Sequence, residues 1–495
     1  MKGLTISLLL LLTTMISCQQ KKGEDKVMYS PDTLMLSKAF ETFKEPRLSQ
    51  RRFNHQVIEP LILKRKDSPL FQVSTLGHSV QKRTLYQLHY GKGSKKVMLW
   101  SQMHGNESTA TMALFDLLNF LEGENDSYDS IRNLLNEKTS LFFLPMINPD
   151  GAEIFNRRNA LDIDLNRDAR ATASPESKIL KAAAEANKPD FGFNLHDQHI
   201  YYNVPGTGNP ATISFLAPAY NYEKDINDVR GRAMQLIVGM NQLLQHYIPN
   251  GVAKYDDTHE PRGFGDNFQK WGASTVLIES GGYKGDPEKQ YIRKLNFMIL
   301  LNALIEIAKG SYEQYHRDDY QAIPENASKL CDLLIKNITA ERDSVTYPVD
   351  LAIKRDEITA PDSVFYVRGR IDDVGDLKES FGYQELDAKG LTFMKGKLYP
   401  TPYNTVDELN SSKVMDLLRQ GYFAIQLRNI AANRHYSLPV LLSGNGLIYG
   451  NSPTLGSQAN FFLAKDGQPV YAIVNGYLID LAKSPDEEFR NYIHP

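Results

Sequence analysis

The chain has 495 residues, 42% of them apolar, which is enough for two to three domains with ordinary hydrophobic cores. Its formal net charge is −3 at pH 7, and this near-balance argues against a general binder of nucleic acid or another polyanion. After the N-terminal segment no run of about 18 apolar residues occurs, so the sequence predicts no further membrane span.

Residues 1–18 have the pattern of an export signal, with Lys2, a short apolar run and then Met-Ile-Ser-Cys. This ending resembles a bacterial lipoprotein signal, which implies cleavage before Cys18 and acylation of that residue; a plain secretory peptide is the alternative. We therefore expect an exported protein, lipid-anchored to the envelope, with the periplasmic side of the outer membrane favoured over the cell surface. Cys331 is the one other cysteine, so no intrachain disulfide is expected.

The remaining chain divides into four segments that differ in their pattern of polar and apolar residues. Residues 19–69 indicate a polar tether and an N-terminal extension, in which the basic stretch 47–52 is interpreted as a surface. Residues 70–310 alternate short apolar segments with amphipathic ones, which predicts an α/β domain with a mixed, largely parallel sheet flanked by helices. A helical connector is predicted over 311–343, and short strands with Gly, Asn and Pro turns predict a β-rich accessory domain over 344–495.

The clearest predicted strands are 97–101, 140–144, 191–195 and 275–279 in the α/β domain and 363–370, 421–428 and 469–479 in the accessory domain. The clearest predicted helices are 108–121, 176–186, 228–247 and 287–308.

A histidine and a carboxylate three positions apart, His104 and Glu107, follow the strand predicted at 97–101. Zinc binds imidazole nitrogen and carboxylate oxygen, and a catalytic zinc site has three protein ligands with one position open. These two residues can supply two such ligands. Alone the pair is weak evidence, because a solvated turn carries the same residues.

Three further polar motifs lie at or near predicted strand ends. The turn residues 147–151 lead into an arginine-rich cluster at 157–167, while His196 and Glu279 each end a buried strand. Arginine suits carboxylate recognition, and a buried carboxylate is costly unless it is paired or acts, for example, as a general base. Functional groups of such sheets collect beyond the carboxyl ends of the strands, so we expect one shared site. A solvated basic loop and structural salt bridges are the alternatives.

Together these motifs resemble the zinc carboxypeptidase family, and most closely its carboxypeptidase N and E branch. The resemblance covers about residues 70–310. It rests, in the family's order and spacing, on the two strand-end residues and on Met-His-Gly-Asn-Glu (103–107), Asn-Pro-Asp-Gly (148–151), Arg-x-Asn (157–159) and Asp-Leu-Asn-Arg (164–167).

The resemblance implies that His104, Glu107 and His196 bind one zinc ion per chain. Glu279 matches the general base that takes a proton from the zinc-bound water and later protonates the leaving amine. Arg157 matches the arginine that stabilises the oxyanion.

Asn166 and Arg167 match the pair that binds the terminal carboxylate of the substrate, and Asp164 matches the carboxylate that orients the first zinc histidine. Arg158 lies beside Arg157, so the assignment of the oxyanion-stabilising role to Arg157 could be wrong by one residue. The spacing to Arg167 favours Arg157.

The region before Glu279 departs from the family. The family has a mobile tyrosine in this interval, but Tyr255 lacks the flanking residues and is not given that role. Phe264 or Arg262 are the alternatives for covering the pocket, and a loop salt bridge of Arg262 with Asp266 is the competing interpretation. The residue that usually marks side-chain preference lies in the same loop, so the sequence predicts no side-chain specificity.

The sequence therefore predicts a zinc metallocarboxypeptidase, a hydrolase that removes the last residue of a peptide. A zinc amidase acting on peptidoglycan stem peptides is the first alternative. The second is a non-catalytic peptide-binding lipoprotein on the same scaffold, against which the retention of all three ligands and Glu279 weighs. The accessory domain is left with three possible roles: contact with the rim of the site, positioning of a polymer, or added stability.

Overall fold

The computed structural model describes residues 32–360, 364–445, 453–484 and 488–493. The predicted export signal and Cys18 lie outside these residues, so the lipid anchor stays a prediction. No helix within the described ranges combines the length and the apolar character that a membrane crossing requires.

The α-helices are α1 Thr33–Phe43, α2 His55–Leu63, α3 Thr109–Glu122, α4 Asp129–Lys138, α5 Pro149–Glu153, α6 Pro175–Asn187, α7 Asp228–Gln245, α8 Phe264–Lys270, α9 Gln290–Lys309, α10 Arg317–Gln321 and α11 Ser411–Arg419. The strands of the first half are β1 Phe71–His78, β2 Thr84–Tyr90, β3 Lys95–Ser101, β4 Thr139–Leu144, β5 Phe191–Asp197, β6 Ile213–Leu216, β7 Val252–Lys254 and β8 Ser274–Ser280. Those of the second half are β9 Leu330–Arg342, β10 Val345–Thr359, β11 Phe365–Gly375, β12 Phe381–Asp387, β13 Thr392–Met394, β14 Lys397–Leu398, β15 Tyr422–Gln426, β16 His435–Tyr436, β17 Leu441–Ser443, β18 Phe461–Lys465, β19 Gln468–Val474, β20 Tyr477–Asp480 and β21 Asn491–Tyr492.

The first half of the chain is built on an eight-stranded mixed sheet in the order β1-β2-β4-β3-β5-β8-β6-β7. Its centre, β4, β3, β5 and β8, is parallel, whereas β1 and β2 join their neighbours antiparallel. Strand β6 pairs antiparallel with β8 and in parallel with β7. Parallel strands need cover on both faces, and this explains why the central strands are apolar throughout rather than alternating. The predicted fold class, mixed α/β with a β-rich C-terminal region, is confirmed.

Helices cover this sheet. Trp100 of β3 stacks on Phe268 of α8 at 4.1 Å, in an apolar cluster that also contains Leu180 of α6. The long helix α9 packs against α3 and α1, and Phe297 of α9 contacts Phe40 of α1 at 5.8 Å between ring centroids. The N-terminal extension therefore contributes to the hydrophobic core of the α/β layer.

The prediction of a helical connector over 311–343 is wrong in its second half. Helix ends with α10, and β9 follows as a long strand that pairs antiparallel with β10. The first six residues of β9 are all buried, so the strand lacks the alternation of polar and apolar residues by which half-exposed strands are recognised. Tertiary pairing decides such segments more than local preference does.

The β-rich region is built on a second sheet in the order β11-β10-β9-β13-β18-β19-β20, and β12 also pairs with β9. The strand predicted over 469–479 is in fact a hairpin of β19 and β20. Asn475 and Gly476 form its turn with positive φ angles of 53° and 79°, the geometry for which an Asn-Gly pair is suited.

A buried carboxylic acid in α9, Glu306, makes the stability of the fold depend on pH. Its Oε1 accepts hydrogen bonds from Tyr315 Oη at 2.8 Å and Asn302 Nδ2 at 3.0 Å, while Oε2 has no hydrogen-bond partner among the described residues. Burial raises the pKa of Glu306 from 4.5 to about 7. Because the native state keeps a proton that the unfolded chain loses, stability falls as pH rises from about 4.5 to about 7, by ~3 kcal/mol.

We therefore expect Glu306→Gln to remove this part of the pH dependence. The measurement is urea unfolding of both proteins at about pH 5 and about pH 8, with the exposed Glu313→Gln as control. The variant gains stability relative to the wild type at the higher pH. An equal pH dependence in both proteins would contradict the assignment.

Candidate metal centre and catalytic cleft

Three adjacent strands bring the predicted ligands and base together. After β3 the chain turns at Gln102, with a φ of 52°, and places His104 and Glu107 ahead of α3. His196 and Glu279 are paired positions near the carboxyl ends of the neighbouring parallel strands β5 and β8. The site therefore lies at the edge of the sheet where functional groups of parallel strands collect.

The His104, Glu107 and His196 side chains form a compact, buried cluster whose ligand atoms all lie within 4.8 Å of one another. The Nδ1 atoms of the two histidines are 3.2 Å apart; His104 Nδ1 lies 2.8 Å from Glu107 Oε1, and His196 Nδ1 lies 2.8 Å from Glu107 Oε2. Tetrahedral ligands about 2.0–2.1 Å from a zinc ion are about 3.3 Å apart. The two nitrogens therefore have the spacing of two corners of a zinc site, and the Glu107 carboxylate lies beside both.

The surroundings set the chemical form of each ligand. His104 Nε2 lies 3.0 Å from Asp164 Oδ1, so a proton on Nε2 leaves Nδ1 free for a metal. Burial lowers the pKa of His196, which favours the neutral, metal-binding ring. Burial opposes ionisation of Glu107, but the adjacent His104 and His196 outweigh it and hold the pKa of that carboxyl well below its usual range.

Arg157, and not Arg158, reaches this cluster. Its Nη1 lies 3.0 Å from Glu107 Oε1, and its Nη2 lies 3.0 Å from Asp164 Oδ2. Arg158 instead donates to Asp162 O at 2.7 Å. The structure thus places the residue that the spacing favours beside the metal ligands.

Asn166 and Arg167 lie on the short helical turn that follows Asp164. Asn166 Nδ2 is 3.4 Å from His196 Nε2, and Asn166 Oδ1 accepts from the Phe264 N–H at 2.9 Å. Arg167 remains 41% exposed, and its Nε is 3.2 Å from Glu260 Oε2. Glu260 therefore anchors one side of the Arg167 guanidinium at the cleft wall.

Glu279 faces the same cleft. Burial, together with the charges of Glu107 and Asp197, raises the pKa of this carboxyl well above its usual value. Lys289 supplies a nearby compensating charge, since its Nζ lies 3.1 Å from Asp197 Oδ2 and donates to Ser280 O at 2.9 Å. A carboxyl whose proton affinity is raised in this way suits proton transfer near neutral pH.

Comparison with known proteins shows which family the segment carrying the candidate ligands resembles. Residues 62–201 match the sequence model of the family described as zinc carboxypeptidase. This segment is therefore similar to a zinc carboxypeptidase domain. The matched span contains all three candidate metal ligands, and Glu279 lies beyond it.

The relatives that this chain resembles are distant. Carboxypeptidase D of Rattus norvegicus is 25% identical over 251 residues, which make up 44% of this chain and 18% of that protein. Carboxypeptidase 2 of Trichophyton rubrum is 30% identical over 106 residues, 21% of this chain and 19% of that protein. The alignments thus span about a fifth of the length of these relatives. Among solved structures, a metallo-carboxypeptidase from Burkholderia cenocepacia aligns with a TM-score of 0.44 at 18% identity, covering 52% of this chain and 70% of that chain.

The loop before Glu279 differs from what the sequence indicated. Phe264 is fully buried in α8, so it does not cover the cleft. Arg262 pairs with Glu260 at 2.9 Å. Arg262 therefore forms a loop salt bridge, as the competing interpretation held, but with Glu260 rather than with Asp266. Tyr255, which the sequence analysis left without a role, lines the cleft instead.

Tyr255 packs edge-to-face on Tyr202 at 5.5 Å between ring centroids. Burial, with the charge of Glu279 and the contact with Tyr202, raises the pKa of the Tyr255 hydroxyl. A neutral hydroxyl therefore stands near the candidate base. The ring contact with Tyr202, which follows His196, is a signal that only the folded chain provides.

The β-rich region forms part of the cleft wall. The cleft has a volume of about 1800 Å³. The residues that the β-rich region contributes to its lining include Asp332, Arg355, Glu357, Tyr383 and Tyr477. Tyr201 Oη, in the segment after His196, donates to the Asp332 carboxylate of β9. The accessory region therefore contacts the rim of the site, which is one of the three roles that the sequence left open.

The interpretation of 47–52 as a solvated basic surface is wrong for Arg51 and Arg52. Their side chains are only 14% and 15% exposed, against 51% for Arg47. Both pair with Glu357 of β10, and the Arg52 guanidinium lies over Phe155 at 4.0 Å. These arginines join the N-terminal extension to the β-rich wall, a contact between residues about 300 positions apart in sequence.

Proposed function

We propose that this chain is a zinc-dependent carboxypeptidase that hydrolyses the last peptide bond of a peptide with a free C-terminal carboxylate. The observation that carries the proposal is the buried His104–Glu107–His196 cluster with Glu279 at the next strand end, in one cleft with Arg167. A pure binding protein has no need to keep a buried base beside three metal ligands, because each buried charge costs stability.

The three ligands would hold the zinc ion through His104 Nδ1, a Glu107 oxygen and His196 Nδ1. When bound, zinc lowers the pKa of a water molecule towards 7 and polarises the scissile carbonyl. Glu279 accepts a proton from the attacking water and passes it to the leaving amine. Arg157, 43% exposed and held by Asp164, presents donors towards the oxygen on which charge develops.

The position of Arg167 makes the enzyme an exopeptidase. Its guanidinium is anchored by Glu260, and Nη1 donates to Asn166 O at 2.8 Å, so the fork is held in place at the cleft. A guanidinium binds a carboxylate through paired hydrogen bonds, which only the last residue of a peptide provides on its main chain. Tyr255 then closes the wall of the cleft beside Glu279.

We expect Arg167→Met to lower kcat/KM for a peptide with a free C-terminus by about 10²- to 10³-fold. The same change leaves the C-terminally amidated peptide, already a poor substrate, almost unaffected. The measurement is steady-state kinetics on the matched pair of peptides. Arg158→Met is the control, because Arg158 bonds only within its own loop and is 48% exposed. Equal cleavage of both peptides by the wild type would contradict the exopeptidase assignment.

A further inference from the structure

The strand β12 has one paired edge and one edge that no described strand covers. It pairs in parallel with β9, from Phe381 opposite Leu330 to Asp387 opposite Lys336, and forms no ladder with any other strand of the described ranges. An uncovered strand edge presents backbone N–H and C=O groups that can pair with another extended chain.

This edge meets the catalytic cleft. Four consecutive residues of β12, 382–385, line the cleft. Successive side chains of a strand point to opposite faces of its sheet. Because all four residues reach the cleft, the cleft borders the edge of β12, at a point where the ladder with β9 skips Tyr383.

Tyr383 holds β12 beside the two loops that follow His196 and Glu279. Its Oη donates to Ile200 O at 2.6 Å, four residues after His196. A Cβ atom on Gly282, three residues after Glu279, would lie only 2.1 Å from the same Oη. A side chain at position 282 would therefore have to displace the Tyr383 hydroxyl. The edge of β12 is held beside the loops that follow His196 and Glu279.

The size and charge of the cleft fit an extended peptide. Sites for small molecules have volumes of about 300–1,000 Å³, so one terminal residue fills only part of the 1800 Å³ found here. The wall carries little unpaired charge, since Glu357 pairs with Arg52 at 2.9 Å and Glu385 pairs with Lys336 at 2.8 Å. The groups that the wall offers include main-chain amides and uncharged side chains such as Gln384, beside charged ones such as Glu488 and Arg490.

We propose that the part of a peptide substrate on the N-terminal side of the scissile bond binds as an added strand along the uncovered edge of β12. The inference rests on the proposed carboxypeptidase function and names its substrate class: extended, unfolded peptides of several residues. In strand addition the main-chain hydrogen bonds supply the affinity, so the side-chain sequence of the substrate matters little. At about 3.3 Å per residue, the four lining residues can run alongside about four substrate residues, and the Gly382 N–H, which donates to Glu385 Oε1, is not available to them.

The edge is also guarded against unrelated strands. The Gly382 N–H donates to Glu385 Oε1 at 3.1 Å, so a charged side chain occupies one amide of β12. Charged groups placed at strand edges are a common means of limiting aggregation.

The test is an N-methyl scan of a fluorescein-labelled heptapeptide with a free C-terminus. Each amide on the N-terminal side of the scissile bond is methylated in turn, and kcat/KM of the zinc-loaded full chain is measured. Only every second residue of an added strand points its N–H towards the partner, so we expect losses of about fivefold or more at alternate positions and little change between them. A flat scan, or losses that do not alternate, would overturn the proposal.

A second scan measures the Kd of each methylated peptide for the Glu279→Gln variant by fluorescence anisotropy. This scan separates the inference from the proposed function, because it requires no hydrolysis. If no peptide is hydrolysed, the carboxypeptidase function fails, yet an alternating Kd still supports strand addition. Gln384→Ala is the matched variant, because it alters a wall side chain and leaves the main chain of β12 in place. If the alternating pattern is unchanged in Gln384→Ala, main-chain pairing is supported. If the pattern is lost in this variant, strand addition is overturned in favour of a side-chain subsite.

Discussion

In the Glu279→Gln variant we expect turnover to fall by about 10³- to 10⁴-fold while zinc stays bound. Glutamine has nearly the same shape as glutamate but accepts no proton from the attacking water, and the three zinc ligands are untouched. The measurement is kcat/KM together with zinc per chain. Retention of the metal distinguishes the loss of a base from the loss of the site.

The pH profile gives a second readout of Glu279. Burial and the Glu107 charge raise the pKa of its carboxyl, so the wild type loses activity as pH falls through that value and the base becomes protonated. The residual activity of Glu279→Gln lacks this acid limb. Glu288→Gln, which changes another carboxylate of the cleft, is the control and keeps the limb. Full activity of Glu279→Gln would remove the residue from the mechanism.

His196→Ala is expected to lose zinc and, with it, turnover. Two ligands remain, and the loss of affinity exceeds the ~10- to 100-fold that follows when only a residue supporting a ligand is changed. Asp164→Asn, which keeps all three ligands but weakens the hold on His104, should fall within that smaller range. The measurement is zinc affinity by competition with a chelator, followed by activity after the metal is restored.

The control for His196→Ala is His199→Ala. His199 lines the same cleft and stacks on Tyr201 at 4.4 Å, outside the metal cluster. We expect this variant to bind zinc as the wild type does. If His196→Ala retained zinc at wild-type affinity, the proposed ligand set would be wrong.

The strand-end residues could be predicted because each carries its own local signal. His196 and Glu279 each close an apolar segment, and the neighbouring strands that the segments predict are parallel and in register. Polar groups at such strand ends meet at one edge of the sheet, whatever the conformation of the connecting loops. Hence the order of four short motifs was sufficient to place the candidate ligands and base in one site.

The wall of the cleft could not be predicted, because its contacts join residues that are far apart in sequence. Tyr201 contacts Asp332, 131 positions later, and Arg52 contacts Glu357, 305 positions later. A basic residue that meets a distant carboxylate has no local feature that separates it from a solvated one. Strand β9 was missed for a related reason, since its burial on both faces depends on neighbours from the rest of the second sheet.

The most direct test of the account is a mass-spectrometric time course on a mixed peptide library that includes peptidoglycan stem peptides. The protein, beginning after residue 18, is loaded with zinc, and metal content is measured on the same sample. The account predicts about one zinc per chain and stepwise loss of single C-terminal residues from peptides with free carboxylates. Cleavage of stem peptides alone would favour the amidase, and a zinc-loaded protein that cleaves none of them would contradict the central claim.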